Sequence, residues 1–115
     1  MTRGDIFWAD LSPRSGSEQS GHRPVVIVSH DAFNLAPGWR SVIVVPLSRS
    51  EMQAKRGPTA VSLPAEPGGL SKSGVALCHQ LTTVDRSKIG RRIGALSAHL
   101  VGAIDGGLKA ALDIR

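Results

Sequence analysis

Within six positions the chain offers a carboxylate at Glu18, an imidazole at His22 and a guanidinium at Arg23. All three lie on or beside the Ser/Gly-rich stretch Arg14–His22, just before the β-branched run Val25–Val28. Polar loops held by a rigid sheet are where chemistry usually sits. A guanidinium fork can donate to two phosphate oxygens at once and stays protonated, so Arg23 suits charge neutralisation better than proton abstraction. Glu18 and His22 have the intrinsic acidity to move protons. Ser48 follows the next apolar run, Val42–Val45. Arg23 and Ser48 can meet only if the two runs are neighbours with those ends on one rim.

The elements that must position these groups are short. Asp5–Leu11 alternates as a first strand, with Ile6, Trp8 and Asp10 on one side and Phe7, Ala9 and Leu11 on the other. Ser12-Pro13 ends it. Val25–Val28 and Val42–Val45 have no polar face, the pattern of strands covered on both sides, and Pro46 is expected to stop the second. His30–Asn34 reads as a short helical turn closed by Pro37-Gly38. Arg49–Pro58 is a basic loop, Thr59–Leu63 a strand and Pro64–Gly74 a turn-rich connection. Val75–Leu81 alternates as another strand, and Ile89–Ala95 as a last one. Ser97 is the expected N-cap of a terminal helix. Leu100, Ile104, Leu108 and Leu112 then form its apolar stripe, weakened by Gly102, Gly106 and Gly107.

The length of 115 residues suits one domain, 1–115, able to bury a core without staples. The single cysteine, Cys78, precludes an intramolecular disulfide and reads as a small core residue. No apolar run reaches the ~20 residues of a spanning helix, and the first residues lack the order of a signal peptide. A cytoplasmic, soluble chain with no membrane partner is expected. The 14 Lys and Arg against 9 Asp and Glu favour an anionic partner. With two Phe, two Trp and no Tyr, the chain cannot build the interleaved aromatic platform of a typical single-strand binder. Phosphate contacts must do most of any RNA binding.

Other features invite blander readings. His22, His30, His79 and His99 show no ligand spacing, so neither a metal nor a cofactor is expected. Gly68–Gly74 lacks the order of a phosphate loop and reads as a turn. The basic cluster Arg86, Lys88, Arg91 and Arg92 is either a solvated face or a track for an RNA backbone.

Taken in order, the motifs resemble the MazF/PemK family of toxin endoribonucleases. The run Arg3-Gly4-Asp5-Ile6-Phe7-Trp8-Ala9-Asp10-Leu11-Ser12-Pro13, then Gly16-Ser17-Glu18 and His22-Arg23-Pro24-Val25-Val26-Ile27-Val28-Ser29, is similar to the family's opening. Pro46-Leu47-Ser48, Gly69-Leu70-Ser71-Lys72-Ser73, Gln80–Arg86 and Ile93–Ser97 resemble its later segments. The resemblance spans nearly the whole chain. It implies a mainly β fold with a C-terminal helix: a small SH3-like antiparallel β-barrel of the kind shared with gyrase-poison toxins, forming a homodimer.

The activity it implies is metal-independent, sequence-specific cleavage of single-stranded RNA, leaving a 2′,3′-cyclic phosphate and a 5′-hydroxyl. A cognate antitoxin with an acidic segment would neutralise the toxin. Arg23, Ser48 and Glu18 match the family's catalytic positions. Ser48 replaces a frequent Thr, and His79 and Thr82 stand where an acid and an Arg are common. His22, Asn34, Arg49, Ser73 and Gln80 complete the expected RNA-contacting set. The rival expectation is a non-catalytic barrel, either a gyrase poison or an inactive RNA binder. The terminus Leu112-Asp113-Ile114-Arg115 has no aromatic wedge for the former.

Overall fold

The computed structural model describes residues 1–12, 16, 18–49, 52–55 and 57–115. Parts of the expected loops Arg14–His22 and Arg49–Pro58 therefore lie outside the described residues. The strands are β1 (Asp5–Asp10), β2 (His22–Ile27), β3 (Ser41–Ser48), β4 (Ala60–Leu63), β5 (Gly74–Leu77), β6 (Thr82–Asp85) and β7 (Ile89–Ala95). A single-turn helix α1 (Asp31–Asn34) follows β2, and α2 (Ala98–Leu112) closes the chain. All pairings are antiparallel, in the order β4-β5-β3-β2-β1-β7, with β6 alongside β3. The expected mainly β architecture with a C-terminal helix is what forms. The sheet does not close, however, because no described pairing joins β4 to β7.

The two β-branched runs are buried on both faces. Val26, Val45 and Leu47 pack with Leu100 and Ile104 of α2, while Val25, Ile27, Val42 and Val44 pack with Ala9 and Leu11 on the other side. Each such side chain contributes on the order of 1.5–3 kcal/mol by leaving water. That double burial is why neither run has a polar face. Ser97 caps α2, accepting from the Leu100 amide at 3.4 Å. The apolar stripe of α2 fades toward its end: Leu100 and Ile104 are buried, whereas Leu112 is exposed.

Several elements depart from the expected boundaries. β2 starts at His22, so Arg23 lies in the strand, opposite Ala9, and not on the loop before it. Pro46 does not stop β3, which continues to Ser48. Along one edge β3 pairs with β6 through Val44 and with β5 from Leu47, so Pro46 falls where the partner changes and no ladder N–H is needed. The alternation Val75–Leu81 breaks after Leu77, and Cys78–Gln80 forms a 3₁₀ turn. That turn seats the Cys78 thiol under α2, near the Ile104 carbonyl, and burial pushes its pKa up to about 11. Finally, Thr82–Asp85 is a strand with one buried side chain, Val84, too little apolar signal to see in advance.

β7 carries two irregularities that shape one end of the sheet. Ile6 pairs with Gly94, Phe7 with Arg92 and Ala9 with Ile89, so the register slips twice in four residues of β1. Ile93 is the extra residue at one slip, and Gly90 and Arg91 together face Trp8 at the other. The upper end of β7 is pinned to the Pro64–Gly74 connection, where the Ala95 amide donates to the Gly68 carbonyl at 2.8 Å. A Cβ on Gly94 would press on that carbonyl group, 2.9 Å from its carbon.

Candidate functional site

In the β2–β3 ladder Val25 stands opposite Pro46 and Val26 opposite Val45. The start of β2 and the end of β3 therefore share one rim, the condition on which the pairing of Arg23 with Ser48 depended. Both side chains line a cleft of about 770 Å³. Arg23 is exposed, and its Nε donates to the Ser20 carbonyl at 3.0 Å, which anchors the stem of the guanidinium. Ser48 is 7% exposed and ends β3, pairing with Val75 of β5. An exposed cation and a buried hydroxyl thus line the same cleft.

The rest of the cleft is consistent with an anionic polymer. Arg49, Lys72, Arg91 and Arg92 join Arg23 in lining it, and no described carboxylate does. Ser71 and Ser73 add hydroxyls, and Trp8, Leu47, Leu70 and Ile93 give it an apolar component. His22 lines it too, with its ring edge-on to Trp8 at 5.7 Å between centroids and 78° between planes. Fixed cations on a partly apolar surface offer phosphates charge and bases a dry contact.

Comparison with known proteins places the chain in a family. The family profile described as "PemK-like, MazF-like toxin of type II toxin-antitoxin system" covers residues 2–112. The chain belongs to the PemK/MazF-like toxin family. It is 32% identical to the endoribonuclease EndoA of Bacillus subtilis over 114 residues, covering 99% of this chain and 96% of that one. It is 31% identical to the endoribonuclease MazF6 of Mycobacterium tuberculosis, covering 99% and 98%. Among solved structures, MazF from Deinococcus radiodurans superposes with a TM-score of 0.80 at 29% identity, covering 98% of this chain and 96% of that one. A MazE–MazF complex from the same organism superposes with a TM-score of 0.73 at 27% identity, covering 100% and 97%.

In this PemK/MazF-family chain not every expected site residue reaches the cleft. Arg23, Ser48, His22, Arg49 and Ser73 do. Glu18 lies instead in a shallower depression of about 350 Å³, with Asp10, Ser12 and Lys88. Gln80 lines neither; its Oε1 accepts from the Gln19 amide at 2.7 Å and so tethers the loop that carries Glu18. Asn34 is a correction. It is 3% exposed, its amide donates to the Ser29 carbonyl at 2.7 Å and to Asp31 at 3.0 Å, and its Oδ1 accepts from the Ser29 hydroxyl. Those bonds secure the turn after β2 and leave the side chain inside the protein.

The basic cluster divides by role. Arg86 donates to the carbonyls of Trp39 at 2.9 Å and Asn34 at 3.0 Å, so it braces the α1 connection. Lys88 donates to the Ser12 carbonyl at 3.0 Å. Arg91 and Arg92 alone of the four line the cleft. Trp8 and Lys72 also line it and were missed by sequence reasoning. A Trp amid apolar strand residues looks like core, and Lys72 looks like part of a turn. Trp8 comes beside Arg23 through the β1–β2 ladder, where it stands opposite Pro24, and Lys72 comes from the connection before β5; neither approach leaves a local signal.

Proposed function

We propose that this protein is the toxin of a type II toxin–antitoxin pair and a metal-independent endoribonuclease that cuts single-stranded RNA at a preferred sequence. The observation that carries this reading is the presence of Arg23 and Ser48 together in a basic cleft lined by no described carboxylate. The endoribonuclease names of the relatives from B. subtilis and M. tuberculosis support the enzymatic reading over a gyrase poison or an inactive binder.

In the reaction, the ribose 2′-oxygen attacks the adjacent phosphorus as its proton leaves. The bond to the 5′-oxygen of the next nucleotide breaks, and that oxygen takes up a proton. A 2′,3′-cyclic phosphate and a 5′-hydroxyl result. Arg23 neutralises the charge that builds on the non-bridging oxygens, and Ser48 donates a hydrogen bond that orients the phosphate. His22, in the same cleft, is the better-placed proton carrier. Glu18 is assigned to the neighbouring depression, where it serves the loop or the RNA path rather than the reacting atoms.

The whole span 1–115 acts as one cytoplasmic toxin domain, working as a homodimer. No described helix is long and apolar enough to cross a membrane. The cognate antitoxin is expected to present an acidic segment to the basic cleft; the D. radiodurans relative has been solved with MazE. The test is to incubate the protein with a long single-stranded RNA in excess EDTA beside an Arg23→Ala control and map the ends. Discrete cuts with cyclic-phosphate ends, lost in the control, are expected. An uncut RNA, or cuts that survive in the control, overturns the reading.

A further inference from the structure

In a regular strand, neighbouring side chains point to opposite faces. Arg91, Arg92 and Ile93 are consecutive in β7, yet all three line the Arg23 cleft. The register against β1 slips on both sides of Arg92, so regular alternation does not hold along this stretch. Bulges commonly re-aim side chains beside active sites. Gly90 starts the second one and packs closely: a Cβ there would lie 3.4 Å from the Trp8 carbonyl oxygen and 4.0 Å from the His22 ring.

The two arginines are not equivalent. Arg92 reaches Asp5 at 3.4 Å, so part of its charge is already matched. Arg91 is exposed and has no hydrogen bond or ion pair with any described residue. The chain thus spends two irregularities on holding an unmatched guanidinium in a cleft that Arg23 already supplies with a cation. A cleft of about 770 Å³ is of a size that holds more than one phosphate group.

We propose that Arg91 is a second phosphate seat, binding the backbone of the substrate RNA at a linkage other than the one that is cut. This rests on the endoribonuclease reading of the same cleft. Arg91 would act in binding, equally for every base sequence, and not in the chemical step.

The test compares Arg91→Gln, Arg91→Lys and the charge-matched control Arg115→Gln, at the chain terminus outside the cleft. Cleavage of an RNA carrying a mapped cut site is followed across a range of KCl concentrations. Arg91→Gln is expected to raise KM about tenfold, as for one lost charged contact, with kcat unchanged. Its salt dependence should be shallower by about 0.7 in log–log slope, one single-strand phosphate contact. Arg91→Lys should keep the parental slope, and Arg115→Gln should match the parent throughout. A parental KM and slope for Arg91→Gln, or a change equal to that of Arg115→Gln, overturns the proposal. So does a loss confined to kcat. If the parent cuts no RNA, the endoribonuclease reading has failed on its own. Anisotropy of a fluorescein-labelled oligoribonucleotide then reads Arg91 separately, with the same loss of slope expected and an unchanged slope overturning the seat.

Discussion

Arg23 and Ser48 each lie two residues beyond Val25 and Pro46, the last paired positions of the β2–β3 ladder, and both line one cleft. Because the strands are antiparallel, the head of one and the tail of the other must share a rim. The pairing then needs no long-range coincidence, only the correct register. Their settings differ, with a buried hydroxyl in the sheet and an exposed guanidinium tethered at its Nε.

Arg23→Ala should lower the cleavage rate by on the order of 10²–10³, as for a lost oxyanion donor. Ser48→Ala should lower it less steeply, because it removes one neutral hydrogen bond and leaves the cation. Initial rates at saturating RNA check both. A Ser48→Ala enzyme more damaged than Arg23→Ala would reverse the assignment of charge stabilisation to Arg23.

Arg86 is expected to act on stability alone. Its guanidinium bridges the carbonyls of Trp39 and Asn34, and its own amide donates to the Arg40 carbonyl at 2.7 Å. Arg86→Ala leaves two carbonyls without that donor and should cost about 2–3 kcal/mol, given charged hydrogen bonds that are partly solvated. Arg86→Lys should recover little, since one ammonium cannot reach both acceptors in that fork geometry. Urea melts measure the loss. Parental stability in Arg86→Ala would return this residue to the RNA track.

The three interior glycines of α2 should respond in opposite directions to the same substitution. A Cβ at Gly102 or Gly106 meets nothing within 4 Å, so Gly→Ala at either should stabilise by about 1 kcal/mol through helix propensity. At Gly107 a Cβ would lie 2.7 Å from both the Cys78 sulfur and a Val61 methyl. These are short side chains with little room to yield, and overpacking costs about 1–3 kcal/mol. Gly107→Ala should therefore melt at or below the parental temperature while the other two melt above it. Thermal scans of the three single variants decide the point.

Asp85 supplies a pH dependence with a definite sign. The hydrogen bond from Arg40, at 3.0 Å, and those from Ser87 hold its carboxyl well below the usual carboxylate range. A carboxyl depressed on folding stabilises the protein above its unfolded pKa, about 4, and that contribution fades as pH falls toward the folded value. Asp85→Asn should thus be less stable than the parent at pH 7, with the gap narrowing below about pH 4. The pair is exposed, so added salt should narrow it too. A gap that widens on acidification would contradict the pairing.

The sheet's middle was legible because Val25–Val28 and Val42–Val45 are apolar on every side, a pattern that only double burial explains. The N-cap at Ser97 was legible because it is local. Neither the Cys78–Gln80 turn nor β6 could be read. Alternating residues suit a strand and the entry to a turn equally well, and Thr82–Asp85 buries one side chain. At the site, Arg23 and Ser48 followed from the antiparallel neighbours. Asn34 did not, because an amide that serves a turn looks in sequence like one that serves a ligand. Arg91 and Arg92 were ambiguous for another reason: alternation assigns adjacent residues to opposite faces, and nothing but Gly90 hints at the bulge.

That irregularity has an evolutionary corollary. The charge of the cleft depends on how many residues β7 contains, as well as on which ones. Losing a single codon at Gly90 would restore regular pairing opposite Trp8 and change how Arg91 is presented to the cleft. Such a deletion would re-wire the electrostatic landscape of the cleft while leaving the composition of its basic residues untouched. Paralogues could thus diverge in how they grip RNA by insertion and deletion in one strand, a route that comparison of aligned side chains would overlook.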